Sequence, residues 1–335
     1  MRSELNYRTF VVANPTAAAG EVREEWDLVE RLMRARIPEL DAAFTEGPGH
    51  ATVLTREALR AGWEMVVCVG GDGTLNEVVN GFYEQRDPSE NFRLEDGWIH
   101  RESPTELEPI NPDAALGVVP LGTGGDFRRS VGLMGGIRET IEHLSGRATR
   151  PIDLGEIVYV DFEGNLGRRF FLNIASAGFS GTVDQVANEM WKGLGGKLSF
   201  MLASIRAFSK WKNVEIETVL DDTHERSGRV FNFVVANGEF FGGGMWVAPG
   251  AQIDDGEFQV VEMGDLTKWE MARLVRKIYL GRHLQYPSVN RFRASRIAAR
   301  PADPDEQIRI DLDGETPGVL PAYWDNHQRA LDLKF

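Results

Sequence analysis

The sequence predicts an α/β domain built on a parallel sheet, followed by a second, mainly antiparallel β-rich domain of sandwich type. Three observations predict it. In the first part of the chain, strand-like apolar runs alternate with helical spacings. Two of those runs empty into glycine turns, and a helix starts directly after each. From about residue 150 onward, short β-rich runs follow one another with only two helical segments between them. Alternating strands and helices make parallel βαβ units, whereas runs of strands make a separate antiparallel domain.

Arg8–Ala13 reads as a strand, and the loop Asn14-Pro15-Thr16-Ala17-Ala18-Ala19-Gly20 follows. Glu21–Arg36 carries Trp26, Val29, Leu32 and Met33 at helical spacing and stops before Pro38. Leu40–Thr45 is a second strand, Ala51–Ala61 a second helix and Met65–Val69 a third strand. Leu75–Phe82 is the next helix, with Thr74 as N-cap and Glu77 reaching back in a capping box. Leu116–Pro120 is a strand, and Phe127–Val131 opens a helix capped by Asp126. Residues 84–113 interrupt this rhythm. They hold nine acids, three basic residues and four prolines, which reads as an acidic surface insertion.

The domain boundary falls near Arg147–Pro151, so the domains run 1–148 and 149–335. The second holds strands at Gly155–Val160, Arg169–Ile174, Val214–Leu220, Val230–Ala236, Phe258–Glu262, Arg296–Arg300, Ile308–Leu312 and Ala330–Phe335. The last of these is a candidate to return to the first domain. One helix carries Leu198, Met201, Leu202, Ile205 and Phe208 on a face. The other carries Met271, Leu274, Val275 and Ile278, with Arg273, Arg276 and Lys277 outside that stripe.

Composition narrows the function. The chain has 335 residues, 42% of them hydrophobic, enough for two cores. One cysteine, Cys68, lies inside an apolar strand and has no partner, so a reducing, cytoplasmic compartment is expected. The N-terminal residues show no signal-peptide pattern, and no apolar run is long enough to span a bilayer. The net charge of −14 argues against nucleic acid as a partner. That charge is segregated: residues 268–300 carry +8 and residues 190–213 carry +5. Such blocks mark either an anionic surface or stretches paired with acidic neighbours.

Val66-Val67-Cys68-Val69-Gly70-Gly71-Asp72-Gly73-Thr74 is the most telling stretch. Its glycines let the backbone approach an anion and adopt positive φ, and the helix N-terminus behind them attracts phosphate. Asp72 repels bare phosphate, so a bridging Mg²⁺ or a water network is expected with it. Pro120-Leu121-Gly122-Thr123-Gly124-Gly125-Asp126-Phe127 repeats the design, and in open parallel sheets both turns lie where ligands bind. Thr123 can bond a phosphate or the nucleoside part of a ligand. Neither turn fits a Walker or dinucleotide-binding motif. In Asp311-Leu312-Asp313-Gly314-Glu315, alternation puts Asp311 and Asp313 on one face. The pair is either a hairpin end or the source of a general base for a hydroxyl. The acidic loop Pro249–Glu257 is either a cation site or a turn. The six histidines show no ligand spacing.

Together these motifs resemble the diacylglycerol kinase catalytic family, which includes soluble bacterial lipid kinases and is related to sphingosine and ceramide kinases. The resemblance runs from Asn14-Pro15 through the GGDGT turn at 70–74 and the LGTG turn at 121–124. It continues through Asn173–Gly178, Asn237-Gly238, Gly242–Gly244 and Pro249–Gly256 to Asp313-Gly314-Glu315. The GGDGT turn is shared with NAD kinases and in part with phosphofructokinases, so the resemblance implies a first domain of that fold. It implies an active site between the domains and MgATP at Asn14, Thr45, Gly70, Gly71, Asp72, Gly73, Thr74, Glu77, Gly122 and Thr123. Asp313 or Glu315 would be the general base, with Asp72 as a further catalytic residue and Asp126 beside the substrate. A structural Mg²⁺ would take Asp255 and the carbonyls of Gln252 and Glu257. The family motif carries Asn where this chain has Gly125. The activity implied is ATP-dependent phosphorylation of a lipid hydroxyl, foremost diacylglycerol to phosphatidic acid. Alternatives are a sphingoid base, ceramide or NAD as acceptor, or a non-catalytic sensor. The partner expected is a lipid at the inner membrane face, with a second copy of the chain as a further candidate. Trp191, Phe200, Phe208 and Trp211, with Lys192, Lys197, Lys210 and Lys212, are the docking candidates, joined by Arg273, Arg276, Lys277 and Arg282.

Overall fold

A computed structural model describes residues 6–121, 125–183, 208 and 211–334. The chain divides into two compact units. One comprises Met1–Gln85, Glu106–Asp153 and Arg329–Phe335; the other comprises Arg86–Thr105 and Leu154–Gln328.

In chain order, β1 (Thr9–Ala13), α1 (Glu21–Arg34), β2 (Leu40–Phe44), α2 (His50–Arg60), β3 (Met65–Gly70) and α3 (Asp72–Asn80) come first. The hairpin β4 (Phe92–Glu95) and β5 (Trp98–Arg101) follows, then β6 (Ala115–Pro120), α4 (Asp126–Ser130) and α5 (Ile137–His143). Next come β7 (Arg150–Val160), β8 (Leu166–Phe171), β9 (Ile174–Gly178), β10 (Val214–Leu220), β11 (His224–Val230) and β12 (Asn232–Ala236). The chain continues with β13 (Phe240–Phe241), β14 (Met245–Trp246), β15 (Phe258–Met263) and α6 (Lys268–Tyr279). It closes with β16 (Val289–Ala294), β17 (Arg296–Pro301), β18 (Ile310–Leu312) and β19 (Val319–Leu333).

In the first unit, β2, β1, β3, β6 and the end of β19 form a parallel sheet in that order. β3 reads MVVCVG and is buried throughout, as a strand covered on both faces must be. One face packs Val11, Val67 and Val69 against Val22, Val29 and Met33 of α1. Each such buried aliphatic contributes about 1.5–3 kcal/mol. Tight contact recurs at the glycines: a Cβ on Gly81, after α3, would meet Thr55 of α2 at 2.5 Å.

The second unit holds two antiparallel sheets. One runs β11–β10–β17–β19, and the other runs β16–β15–β12–β9–β18. Their facing side chains, among them Ile216, Ile297, Trp324, Phe233, Phe258 and Leu312, make a common core. On the far face of the second sheet, Val234, Val261 and Met263 receive Met271, Leu274 and Ile278 of α6.

The acidic segment is more ordered than its composition suggests. Its β4–β5 hairpin buries Phe92 and Ile99 with Val158 and Tyr323 of the second unit. These two apolar residues at strand spacing are enough to dock it, despite the surrounding charge. The final strand is also longer than expected. Its Ala322–Asp325 stretch pairs with β17, and Asp332-Leu333 pairs with β6. The helix expected around Leu198–Phe208 lies largely outside the described residues. Phe208 and Trp211, two of the docking candidates, are half-buried and pack with Phe179 and Phe231.

Candidate functional site

The Gly70–Thr74 turn is the end of β3 running straight into α3. The helix begins at Asp72 with Gly71 as N-cap, so Thr74 lies inside the first turn and is not the cap. Gly71 has φ −93 and ψ −176, ordinary extended backbone, and none of Gly70, Gly71 and Gly73 adopts positive φ. Glycine at 70 is demanded by space: an added Cβ would come within 2.9 Å of Thr74 Cβ. The expected left-handed turn is therefore corrected to a close-packed strand-to-helix corner.

Asp72 reaches across to the start of α4. Its Oδ2 accepts the Asp126 N–H at 3.1 Å, and its Oδ1 accepts the Phe127 N–H at 3.3 Å. These are the first two amides of α4, whose N-cap is Gly125. Asp72 thus caps α4 from the first turn of α3, and the expected N-cap role of Asp126 is corrected. The Asp126 carboxylate is buried and paired with Arg129 at 3.1 Å. Gly125 sits at φ 63, ψ 41, the left-handed region that both glycine and asparagine adopt with ease. Gly122, Thr123 and Gly124 lie outside the described residues.

Asn14 joins the first loop to the same corner. Its Nδ2 donates to Thr74 Oγ1 at 2.9 Å, and its Oδ1 accepts from Thr16 N at 3.0 Å. The Thr45 N–H donates to Ala13 O, which holds the end of β2 beside β1. Asn14, Thr45, Asp72, Thr74 and Asp126 therefore lie in one unit, on the loops and helix starts that follow the C-terminal ends of adjacent parallel strands. Glu77 has a different task from the one its spacing suggests. Its two carboxylate oxygens accept the N–H groups of Gly49 and Ala51, so it caps α2 instead of its own helix. The α2 N-terminus has no side-chain cap of its own, and Glu77 fills that need.

In the second unit, Asp313-Gly314 is a two-residue hairpin turn between Leu312 and Glu315. Both residues have positive φ, 49 and 90, as that turn type requires. Strand alternation ends at Leu312, so Asp311 and Asp313 do not share a face as expected. Asp311 is buried, accepting from Ser176 Oγ and Gly314 N. Asp313 is half-buried. Its Oδ1 accepts the Ile174 N–H at 2.9 Å, and its own N–H donates to Ile174 O. Glu315 pairs with Arg169.

The loop at 249–257 does not fit the metal set expected of it. The Asp255 carboxylate pairs with Arg293 through Oδ2 and accepts the Glu257 N–H through Oδ1. Arg293 also bonds Glu257 Oε2 at 2.8 Å. A guanidinium already stands where the only carboxylate among the expected ligands would meet a cation, and Gln252 supplies no charge.

Two features escaped sequence reasoning. Glu156, Asp325 and His327 converge, and His327 Nε2 lies 2.7 Å from Glu156 Oε2. Arg168 pairs with Glu156, and Arg101 with Asp325, so two guanidiniums balance two carboxylates and the cluster is an ion-pair network. Burial raises the Asp325 carboxyl above the usual carboxylate range. The sequence signal was the alternation of Asp325 and His327 along a strand. The second feature is a cavity of 940 Å³ under the β4–β5 hairpin, lined by Trp98, Arg296, Arg300 and Tyr323. No expected site residue lines it.

With this geometry in hand, likeness to known proteins becomes informative. Residues 8–157 match the family model described as the diacylglycerol kinase catalytic domain. Residues 173–334 match the YegS C-terminal NAD kinase beta sandwich-like domain. The chain carries a diacylglycerol kinase catalytic domain followed by a YegS-type C-terminal domain. Relatives named diacylglycerol kinase agree with that along the whole length. The one from Staphylococcus carnosus is 26% identical, covering 97% of this chain and 94% of its own. The one from Bacillus subtilis is 24% identical, covering 97% and 95%. A crystal structure named a diacylglycerol kinase, from Bacillus anthracis, shares the fold with TM-score 0.64 at 17% identity, over 98% of this chain and 96% of that one. Another Bacillus anthracis structure reaches TM-score 0.72 at 20% identity, over 98% and 94%. A family of this kind is a phosphotransferase with an alcohol as acceptor, and its kinase domain implies a nucleotide site.

Proposed function

We propose that this chain transfers the γ-phosphoryl group of MgATP to the hydroxyl of a membrane lipid, foremost diacylglycerol. The observation that carries the reading is the Asp72 carboxylate bonded to the first two amides of α4. It ties the β3–α3 corner and the start of α4 into one rim, with Asn14 bonded to Thr74 beside it. Phosphoryl transfer depends on positioning and charge stabilisation, and such a rim supplies the positioning. Each Asp72 oxygen keeps a further lone pair, so Asp72 fits a Mg²⁺ held directly or through water. Asp72 would hold such an ion there, and the ion would supply neutralisation of the developing phosphate charge.

Asp313 takes the proton from the attacking hydroxyl. Its Ile174 N–H bond fixes the carboxylate in place. The hydroxyl oxygen bonds the γ-phosphorus as the bond to ADP breaks. Glu315, held by Arg169, adds negative charge next to the base.

The test is a labelled-ATP screen against diacylglycerol, a sphingoid base, ceramide and NAD. Label in phosphatidic acid is the expected result. Label only in NADP in lipid-free buffer would replace the reading, and ATP binding without any transfer would favour a sensor.

A further inference from the structure

The outward face of α6 has a character that core packing does not explain. Met271, Leu274 and Ile278 are buried and fix the rotation of the helix. At about 100° per residue, the direction opposite to them carries Trp269, Arg273, Arg276 and, at the C-cap, Leu280. Trp269 is 80% exposed and Leu280 51%, with Tyr279 at 50% and Val275 at 38% on the flank. A surface helix normally shows polar residues in that direction. This one shows its largest apolar side chain at its N-terminal end, an apolar pair at its C-terminal end and arginines between.

The charge there is distinctive too. The +8 of residues 268–300 separates into two groups once the fold is known. Three of the four strand arginines are paired, Arg293 with Asp255, Arg296 with Asp222 and Arg300 with Glu217, while Arg291 on β16 forms no ion pair among the described residues. Arg273, Arg276 and Arg282 form no ion pair among the described residues. The one acid on the helix, Glu270, is spent on the capping box with Thr267.

We propose that this face of α6 docks the protein onto an anionic lipid bilayer, with Trp269, Tyr279 and Leu280 in the headgroup–acyl boundary and Arg273, Arg276 and Arg282 on lipid phosphates. Aromatic rings and arginines share that boundary in interfacial helices, the rings buried and the guanidiniums at headgroup level. A second copy of the chain is the poorer partner, because a two-fold contact through this face would set Arg273 and Arg276 against their own copies. The choice of a bilayer rests on the lipid-kinase reading.

Flotation of the full chain in the absence of ATP tests it. The probes are phosphatidylcholine vesicles and vesicles of phosphatidylcholine with phosphatidylglycerol. The protein is expected to float with the anionic vesicles and to release them at high salt. Arg273→Glu with Arg276→Glu, and Trp269→Ala with Leu280→Ala, should each cut the bound fraction about tenfold or more with the melting temperature unchanged. Wild-type protein that floats with neither vesicle, or variants that float as well as wild type, would overturn the proposal. So would a lipid-free dimer in sedimentation velocity that Trp269→Ala dissociates, which would assign the face to a second copy. Transfer to a short-chain, water-soluble diacylglycerol should be unchanged in all variants. Loss of transfer everywhere with flotation intact would count against the kinase reading and leave the docking face standing.

Discussion

The Gly70–Thr74 corner of the first unit and the Asp313–Glu315 turn of the second each place an aspartate beside glycine at a strand end, and they are built in opposite ways. At the first, the strand continues into a helix without a left-handed residue, and Asp72 spends its carboxylate on two amides of a neighbouring helix. At the second, the chain reverses through two left-handed residues, and Asp313 is braced by both partners of Ile174. The difference teaches that similar short motifs divide the labour. Under the proposed function, Asp72 would hold a phosphate-binding rim together, while Asp313 would be presented on a hairpin tip for proton transfer.

Asp313→Asn should lower phosphoryl transfer by about 10²–10⁴-fold, the usual contribution of a general base, with the fold intact. Asp72→Ala should remove transfer as well, and should also cost about 2–3 kcal/mol in urea unfolding, because two amides of α4 lose a charged acceptor. If that variant unfolds like wild type, the clamp is not holding the turn.

His283 offers a pH test confined to the second unit. The ring is buried with Nε2 against Val247 O, and burial holds its pKa below the ordinary value of 6.5. The folded state therefore prefers the neutral ring. Its contribution is present above pH 6.5 and is lost as the pH falls through the lowered folded value. Stability should drop by at most about 1.4 kcal/mol per pH unit on that side, and His283→Gln should flatten the drop. Glu77→Ala should cost about 1 kcal/mol through the lost α2 cap. Glu77→Gln should recover little, since the amide accepts poorly at two donors, and hydrogen exchange at Gly49 and Ala51 reports it directly. The smallest effect is expected at Gly125→Asn. The left-handed backbone accepts asparagine, and the displaced neighbour is the flexible Arg128, 2.6 Å from the added Cβ, so melting should shift by about 1 kcal/mol or less.

Much of this was legible in the sequence because it is local. The buried run Met65–Gly70 can only be a central parallel strand, and Met271, Leu274 and Ile278 announce the buried side of α6. Asp-Gly between Leu312 and Glu315 is a hairpin signal in its own right. What could not be read involves partners distant in sequence. Thr74 and Glu77 have capping-box spacing, yet Glu77 goes to a helix 26 residues earlier because that helix lacks a cap. Asp72 meets amides 54 and 55 residues away, which no local pattern encodes. The acidic hairpin was hidden because only Phe92 and Ile99 reveal its docking. The Arg293 pairing of Asp255 could not be seen either, since cation-like loops and ion-paired loops share one composition.

The central claim is that Asp72 builds the nucleotide site and Asp313 performs proton transfer. Titration calorimetry of MgATP binding to Asp72→Asn and Asp313→Asn, side by side with wild type, tests it most directly. The account predicts wild-type affinity for Asp313→Asn and a loss of about tenfold or more for Asp72→Asn. Weakened binding in Asp313→Asn with full binding in Asp72→Asn would contradict it.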